Sequence, residues 1–479
     1  MLLRASNAVG YSNYPDNLVK EFIRISAIKG IDVFRVFDSL NWIENMKMPI
    51  EESLKTGKIV EGALCYTGDI LNPNEVKYTL DYYVKKAKEL EAMGVHILAI
   101  KDMAGLLKPY SAYKLVETLK SELKIPVHLH THDTTGAGVA TVLKAAEAGV
   151  DIADLAIESM AGCTSQPSLN VVVEALRGTE RDTGLEFEGL NELARYYEHV
   201  RKVYAANESG QVSPLAEIYK HEIPGGQYSN LLAQVTEMGS KDEFEKIKEL
   251  YRQANILLGN LIKVTPSSKV VGDLAIFMSK NGLNMDNILT EGAGLSYPDS
   301  VIDFFKGMIG QPEGGFPKEL QKIVLKDIEP ITVRPGTLLP DVDFEQIKQL
   351  LREKFDMEGR VYVAELKVLP LYESVSAIKT IYKALPKHPA SVRDLAVLAD
   401  ADMPVADIAN AISAAIPNVL EKVELFDVYQ GKQVPEGKKS VAYSITLRAA
   451  DRTLTVEECD NAVAKVMKAL DKIGVALRQ

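Results

Sequence analysis

The first 180 residues repeat one pattern, in which a short apolar run alternates with an amphipathic segment that ends at glycine. Segments 16–29, 74–93 and 138–148 each end in this way and lead directly into an apolar run. Glycine suits the left-handed position that follows a helix. Apolar runs that alternate with helices are typical of parallel strands covered on both faces. The pattern therefore predicts an α/β fold built on a parallel sheet.

Six strands are predicted in this region. They are Met1–Arg4, Val33–Asp38, Gly62–Thr67, Ile97–Asp102, Val127–His132 and Ile152–Met160. Polar side chains gather at their C-terminal ends, namely Arg4, Asp38, Lys101, His130 and His132. A (β/α)₈ barrel carries its active site at that end. Six strands are two short of eight, so we expect an incomplete barrel, with an open doubly wound sheet as the alternative.

Composition excludes several classes of protein. The chain is 46% hydrophobic and 25% charged, with no long apolar run, which excludes a disordered chain and a membrane span. A net charge of −11 argues against a nucleic-acid coat. Cys65, Cys163 and Cys459 lie far apart, so neither a disulfide framework nor a zinc ribbon is expected. No signal peptide opens the sequence, so we expect a cytoplasmic protein.

The character of the chain changes twice after the barrel pattern. We expect a partial barrel over 1–178, a helical domain over 179–352 and a linker over 353–386. Residues 387–479 show the order βαββαβ, which predicts an α+β ferredoxin-like domain. Within it, Thr455 and Glu458 have the spacing of a helix capping box.

Three of the seven histidines fall within five residues, at positions 128, 130 and 132. Alternation along a strand places all three side chains on one face. Neighbouring imidazoles at a barrel mouth are suited to bind one divalent ion. The spacing does not say which two bind, and the alternative is a surface strand that carries histidines by chance.

Lys101 ends the strand before the histidines. A lysine buried near a cation must lose its charge, so it could act as a base or carry a metal-binding carbamate. The alternative is an ion pair with Asp102. Further along, the stretch 265–269 places hydroxyls beside a lysine, which suits an anionic or carbonyl ligand; the alternative is an ordinary helix cap.

The C-terminal segment carries cations and aromatic residues that could meet nucleic acid. Arg448, Arg452, Lys438 and Lys439 could contact phosphates, while Phe426 and Tyr429 offer faces for stacking. The alternative is an ordinary solvated surface.

Several motifs resemble the carboxyltransferase domain of pyruvate carboxylase, and the alpha subunit of oxaloacetate decarboxylase is similar. The motifs are MLLRASNAVGYSNYPDN at 1–17, FRVFDSLN at 34–41, IKDMAGLLKP at 100–109, HLHTHDTT at 128–135, TSQPS at 164–168, EIPGGQYSN at 222–230 and VTPSSKVVGD at 264–273. The resemblance covers about residues 1–350.

The resemblance implies biotin-dependent carboxyl transfer between carboxybiotin and pyruvate or oxaloacetate. Biotin would be supplied in trans by a carrier domain, and the carboxyltransferase part would form a homo-oligomer. It implies a divalent metal, zinc, manganese or a similar ion, bound by His130, His132, a carbamylated Lys101 and an aspartate.

The remaining site residues follow from the same resemblance. Arg4 and Tyr11 match residues that hold the keto-acid carboxylate. Thr265 matches the threonine that moves a proton between pyruvate and biotin, and Ser268 and Lys269 match positions in the biotin pocket.

The sequence departs from this family in one respect. It lacks the family's first two βα units, and with them an Arg-Asp-Ala-His-Gln-Ser motif that supplies the metal-binding aspartate. The lost strands would also leave unpaired sheet edges. We therefore expect impaired carboxyl transfer.

The C-terminal part resembles a different family. The stretches 387–396, 423–429, 431–439 and 451–455 are similar to the anticodon-binding domain that ends the beta subunit of bacterial phenylalanyl-tRNA synthetase. The resemblance implies tRNA-Phe as a partner, contacted through Phe426, Tyr429, Arg448 and Arg452. The alternatives to a carboxyltransferase are an RNA-binding fragment of that synthetase or an inactive fusion product.

Overall fold

The computed structural model describes residues 1–208, 211, 213–237, 243–355, 386–431 and 433–478. The chain divides into two compact units, residues 1–358 and residues 359–479. Most of the predicted linker, residues 356–385, lies outside the described residues. Among the described residues, no helix combines the length and the apolar character needed to cross a bilayer.

The first unit is built on a parallel sheet of six strands. They are β1 (Leu2–Arg4), β2 (Val33–Phe37), β3 (Ile59–Cys65), β4 (Ile97–Asp102), β5 (Val127–Thr131) and β6 (Ile152–Asp154). Each strand pairs with the next one along the chain, in the order β1-β2-β3-β4-β5-β6. A doubly wound sheet reverses its strand order at a switch point, and this sheet does not. The six strands therefore correspond to consecutive strands of a (β/α)₈ barrel, and the doubly wound alternative is wrong.

Two predicted strands differ from the observed ones by more than one residue. Strand β3 begins three residues and ends two residues before the predicted strand 62–67. The predicted strand 152–160 ends at Asp154, and Glu158–Met160 forms a 3₁₀ turn instead. The strand-forming apolar run continues past the point where the backbone leaves the ladder, so its polarity does not reveal the end.

Helices fill the intervals between the strands. They are α1 (Asp16–Ile28), α2 (Ile43–Lys55), α3 (Leu80–Ala92), α4 (Pro109–Glu122), α5 (Gly138–Glu147) and α6 (Leu169–Leu176). Helix α3 begins six residues later than the predicted segment 74–93, because the Thr79 side chain accepts a hydrogen bond from the backbone N–H of Tyr82 and caps the helix there.

The central strands are buried on both faces. In β3 every residue after Ile59 is buried, and in β4 every residue after Ile97 is buried. One face packs against the surrounding helices, and the other points into the barrel. Because Glu61 lies on β3 with 1% of its surface exposed, its carboxylate must find partners inside the barrel.

A second apolar core lies among the helices that follow the barrel. The helices after the barrel are α7 (Phe187–Tyr204), α8 (Ile218–His221), α9 (Gly225–Glu237), α10 (Phe244–Leu257), α11 (Ser267–Lys280), α12 (Asp299–Lys306), α13 (Lys318–Leu325) and α14 (Phe344–Lys354), and the second core lies among α9 to α13. Tyr251, Phe304 and Phe305 are fully buried at its centre. Removing one such aromatic side chain from a core costs about 3–5 kcal/mol.

Polar contacts join the start of helix α1 to the segment between α13 and α14. Arg334 donates to both carboxylate oxygens of Asp16, at 2.7 and 3.1 Å. Asn17 donates to the carbonyl oxygen of Val342 at 2.9 Å and accepts from its backbone N–H at 3.1 Å. The first turn of α1 is thereby held against residues that come more than 300 positions later.

The second unit has the predicted βαββαβ order. Its elements are β7 (Ser391–Asp400), α15 (Val405–Ala415), β8 (Leu420–Tyr429), β9 (Lys438–Leu447), α16 (Val456–Asp471) and β10 (Ala476–Leu477). The strands form an antiparallel sheet in the order β10-β7-β9-β8, so β8 is an edge strand. The capping box is present, with Thr455 and Glu458 bonded reciprocally at the start of α16.

Candidate active site

Two histidines and a lysine meet at the C-terminal end of the barrel strands. Lys101 on β4 is in register with His130 on β5, and His130 is in register with Asp154 on β6. Aligned residues of neighbouring strands share a face, so this register places the three side chains in one row inside the barrel. His132 follows β5 directly, and its ring centroid lies 5.3 Å from that of His130.

The hydrogen bonds of the two imidazoles leave one nitrogen of each ring for another ligand. His132 Nδ1 donates to the carbonyl oxygen of Thr164 at 2.7 Å, and His130 Nδ1 bonds to Asp154 Oδ2 at 2.9 Å. A carbonyl oxygen only accepts, so the neutral His132 ring carries its hydrogen on Nδ1 and a lone pair on Nε2. This Nε2 atom is buried and has no hydrogen-bond partner among the described residues.

Burial and the neighbouring His130 lower the pKa of His132 to about 4. The ring is therefore neutral at physiological pH. A neutral imidazole with one nitrogen fixed by a carbonyl or carboxylate is the usual arrangement of a metal-binding histidine. Since β5 is buried at four of its five residues, the alternative of a surface strand is wrong.

Lys101 lies beside these rings in an apolar setting, with 3% of its surface exposed. Its Nζ contacts the sulfur of Met103 and lies 4.9 Å from the centre of the Phe37 ring. Burial lowers the pKa of Lys101 to about 8. An appreciable fraction of the amine is thus neutral near pH 8, and the neutral amine is the form that reacts with CO₂.

Asp102 does not pair with Lys101, so that alternative is wrong. Its carboxylate accepts hydrogen bonds from the backbone N–H groups of Leu106 and Leu107, in the loop that follows β4, at 3.0 and 2.9 Å. It also accepts one from the hydroxyl of Thr131, the last residue of β5, at 2.8 Å. Asp38, another polar residue at a strand end, similarly binds the backbone of its own loop. These two carboxylates organise the loops around the barrel mouth.

A loop glycine also shapes the site. Gly105 adopts a φ of +65°, and a Cβ built on it would lie 2.7 Å from the carbonyl oxygen of His132. The loop after β4 can therefore approach the second histidine closely only because position 105 has no side chain.

Tyr11, Thr265 and Lys269 line one pocket of about 310 Å³, together with residues of helix α9. The Arg4 guanidinium lies 5.4 Å from the centre of the Tyr11 ring and donates to the carbonyl oxygens of Val9 and Gly10 at 2.9 and 3.0 Å. Arg4 also contributes to the lowered pKa of Lys101, after burial and the effect of nearby charges. The structure therefore brings three of the predicted substrate and biotin residues to one wall.

The stretch 265–269 is not an ordinary helix cap, because no side chain caps α11. Lys269 Nζ is 2.5 Å from the carboxylate of Asp273. Ser268 is buried, and its carbonyl oxygen accepts from the Tyr251 hydroxyl at 3.5 Å. Ser268 is not among the residues that line the pocket.

A buried charge cluster that the residue pattern did not predict lies beneath His130 and consists of Arg35, Glu61, His128 and Asp154. His128 bonds to Glu61 Oε1 at 2.5 Å and to Asp154 Oδ1 at 2.8 Å. Arg35 donates to Glu61 and, at 2.7 Å, to Asp154 Oδ2. Asp154 ends β6, so the rule that selected Lys101 would have selected it had the strand end been predicted correctly.

Opposing effects set the charges of this cluster. Burial raises the pKa of Asp154, but hydrogen bonds from His128, His130 and Arg35 outweigh it and hold the pKa well below its ordinary value. Burial lowers the pKa of His128, whereas its bonds to Asp154 and Glu61 raise it more. Two cations and two carboxylates therefore balance one another below the site.

The four predicted tRNA-contacting residues differ in whether their side chains are exposed or already engaged in ion pairs. Phe426 and Tyr429 lie on edge strand β8 with 59% and 38% of their surfaces exposed. Arg448 pairs with Glu421 at 2.8 Å, and Arg452 pairs with Glu458 at 2.6 Å. The exposed aromatic faces are available to a partner, while both guanidinium groups are already engaged.

Comparisons with known proteins match three stretches of the chain. Residues 39–196 match a family described as HMGL-like, residues 218–375 a conserved carboxylase domain, and residues 386–478 a ferredoxin-fold anticodon binding domain. The row of side chains at the strand ends, Lys101, His130 and Asp154, lies within the HMGL-like match.

The proteins similar to this chain include several pyruvate carboxylases. Pyruvate carboxylase from Bacillus subtilis is 53% identical over 79% of this chain and 34% of its own length. The human mitochondrial enzyme is 47% identical over 75% of the chain and 31% of its own length. The carboxyl transferase domain of Rhizobium etli pyruvate carboxylase, solved with pyruvate and biocytin, superposes with a TM-score of 0.73 at 48% identity, over 75% of this chain and 61% of that one.

The chain therefore carries an HMGL-like region and a conserved carboxylase domain, which are similar to the carboxyltransferase domain of pyruvate carboxylase, followed by a ferredoxin-fold anticodon-binding domain. The chain spans about a third of the length of the curated relatives it matches.

Proposed function

We propose that residues 1–355 carry out biotin-dependent carboxyl transfer between carboxybiotin and pyruvate or oxaloacetate. The observation that carries this proposal is the buried, unpartnered Nε2 of His132, held beside His130 and Lys101. An orphaned buried acceptor is costly, and a bound cation would satisfy it.

His130, His132 and Lys101 would hold a divalent metal, zinc, manganese or a similar ion. The neutral amine of Lys101 would attack CO₂ and release one proton to water. The side chain would then be an anionic carbamate, whose oxygens can bind a metal. Among the described residues, no three His, Cys, Asp or Glu side chains stand close enough to hold a metal by themselves. The donor set therefore fits a metal only when Lys101 completes it. A bound ion would supply a Lewis acid for the keto oxygen of the substrate.

The neighbouring pocket would hold the organic substrates. The Arg4 guanidinium and the Tyr11 hydroxyl are suited to bind the keto-acid carboxylate. The Thr265 hydroxyl would move a proton between the methyl group of pyruvate and the ureido nitrogen of biotin, and Lys269 would position biotin. Ser268, which is buried and does not line this pocket, would contribute to the biotin site only indirectly. Biotin would arrive on a separate carrier domain. The carboxyltransferase part would act as a homo-oligomer.

We expect a low rate from this chain, because the described residues offer three ligands and no carboxylate among them. The test is oxaloacetate decarboxylation by the purified full chain with free biotin. The expected result is a weak biotin-dependent rate that EDTA removes and added Mn²⁺ restores.

A matched pair of variants sharpens this test. Thr265→Ala should abolish the biotin-dependent rate. Thr118→Ala should leave it unchanged, because the Thr118 hydroxyl donates to the carbonyl oxygen of Lys114 within α4 and Thr118 does not line the pocket. A rate that survives both EDTA and Thr265→Ala would contradict the proposed site. A robust rate that depends on Thr265 would contradict the expected impairment alone.

A second function is favoured by the exposed aromatic residues of β8. We propose that the C-terminal unit binds tRNA-Phe through Phe426 and Tyr429, with Arg448 and Arg452 at the margin. Binding should weaken as salt rises, and Phe426→Ala should reduce it more than Arg452→Ala, because the Arg452 guanidinium is engaged by Glu458. Equal binding of unrelated tRNAs, or none at low salt, would contradict this function.

A further inference from the structure

The buried charge cluster beneath the histidines uses every strong hydrogen-bonding atom of Asp154. Its Oδ1 accepts from His128 at 2.8 Å, and its Oδ2 is shared by Arg35 at 2.7 Å and His130 at 2.9 Å. Because hydrogen bonds hold both oxygens of this carboxylate, its orientation is fixed. His130 is the only one of these three partners that also faces Lys101 across the β4–β5 register.

We propose that Asp154 is a positioning residue for His130, and that Arg35, Glu61 and His128 act by holding Asp154 in place. The proposal deepens the metal site and rests on the proposed function. Asp154 fixes the hydrogen of His130 on Nδ1 and fixes the angle of the ring. The Nε2 lone pair is then presented toward the side where Lys101 and His132 lie.

The outer part of the cluster has its own support. Glu61 is 1% exposed and is bonded to both Arg35 and His128, so the two cations that hold Asp154 are themselves held from β3. The cluster spans β2, β3, β5 and β6. Displacing any one of these strands would therefore rotate the Asp154 carboxylate and with it the His130 ring.

A purely structural ion cluster would stabilise the barrel without controlling the tautomer of His130, and this difference decides the test. In the full-length chain labelled with ¹⁵N-histidine, long-range ¹H–¹⁵N spectra at about pH 8 distinguish the two neutral tautomers, and His130→Asn assigns the signal. We expect the Nδ1–H form in the native chain. Asp154→Ala should shift His130 toward the Nε2–H form that free histidine prefers, and the isosteric Asp154→Asn should shift it partly.

Metal affinity supplies a second readout, with Co²⁺ as the probe and its visible absorption as the signal. Loss of a carboxylate bonded to a ligating histidine weakens metal binding about 10–100-fold. We expect a loss in this range for Asp154→Ala and a smaller loss for Asp154→Asn. Asp151→Asn is the matched control, because Asp151 lies three residues earlier and pairs with Lys120 at 2.7 Å. The asparagine side-chain oxygen can still accept the hydrogen bond from the backbone N–H of Val127 at the start of β5, so this variant should change neither readout.

The outcomes separate the two proposals. A native chain that binds no Co²⁺ overturns the metal site, while the tautomer of His130 still decides the role of Asp154. An unchanged tautomer in a folded Asp154→Asn or Asp154→Ala chain overturns the positioning role, whatever the metal does. An equal loss of Co²⁺ affinity in Asp151→Asn also overturns it, because the effect would not be specific to the cluster.

Discussion

The buried ammonium of Lys101 should destabilise the folded chain when no metal or CO₂ is present. Its pKa is lowered by burial from 10.5 to about 8, and its side chain forms no ion pair with a carboxylate among the described residues. A shift of this size corresponds to about 3 kcal/mol of lost stability at pH 7. Methionine has a similar length and carries no charge. Lys101→Met should therefore stabilise the first unit by about 3 kcal/mol while it removes a proposed metal ligand.

The single tryptophan of the chain makes this measurable. Trp42 lies at the start of α2, in the first unit, so its fluorescence reports the unfolding of that unit in urea. The chain should first be treated with EDTA and kept free of CO₂. Between about pH 8 and pH 10.5 the unfolded lysine binds more protons than the folded one, so the stability of the native chain rises with pH in this window. The advantage of Lys101→Met should shrink to about 2 kcal/mol at pH 9.

Lys114→Met is the control, because the Lys114 side chain is 50% exposed and pairs with Glu117 on the same helix. A surface substitution of this kind should change the stability by less than about 0.5 kcal/mol. The reasoning is refuted if Lys101→Met is no more stable than the native chain, or if its advantage does not fall as the pH rises from 7 to 9. Either result would mean that the folded state solvates or pairs the ammonium.

Three further substitutions test other features. Burial lowers the pKa of His221 to about 4, so below about pH 6.5 the unfolded state binds more protons than the folded state and the chain loses stability. Between pH 7 and pH 5, His221→Gln should therefore lose about 2 kcal/mol less stability than the native chain, as measured by Trp42 fluorescence. Gly105→Ala places a side chain at positive φ and against the carbonyl of His132, so it should cost at least about 1–2 kcal/mol and weaken Co²⁺ binding; an unchanged urea midpoint would contradict this. Thr455→Ala removes the cap of α16 and should cost about 1 kcal/mol, measured as faster hydrogen exchange at the first amides of that helix with an unchanged Trp42 transition.

The position of polar residues at strand ends predicted part of the site. It selected Lys101 and His130, which the register brings side by side. It also selected Asp38, whose carboxylate instead binds the backbone of its own loop, because polarity at a strand end does not say which way a side chain turns. The local hydrogen bonds that decide this are invisible in the pattern.

Other parts of the site left no signal in the residue types. The carbonyl of Thr164 that fixes the His132 tautomer belongs to the backbone, and any residue could supply it. Asp154 was missed because apolar residues continue beyond the end of β6. In the second unit the strand and helix order was predicted, since each element there is bounded by proline, glycine or a capping residue.

The contacts that tie Asp16 and Asn17 to Arg334 and Val342 bear on how such a chain is made and recombined. The paired residues are 318 and 325 positions apart, so this closure cannot form on the ribosome until residue 342 has emerged. A gene junction upstream of Arg334 would leave the half-buried carboxylate of Asp16 without its arginine partner. A junction downstream leaves the closure whole, and the match to the anticodon-binding family begins beyond it, at residue 386. A different C-terminal domain could therefore be joined beyond residue 342 without loss of the contacts that connect α1 to Arg334 and Val342.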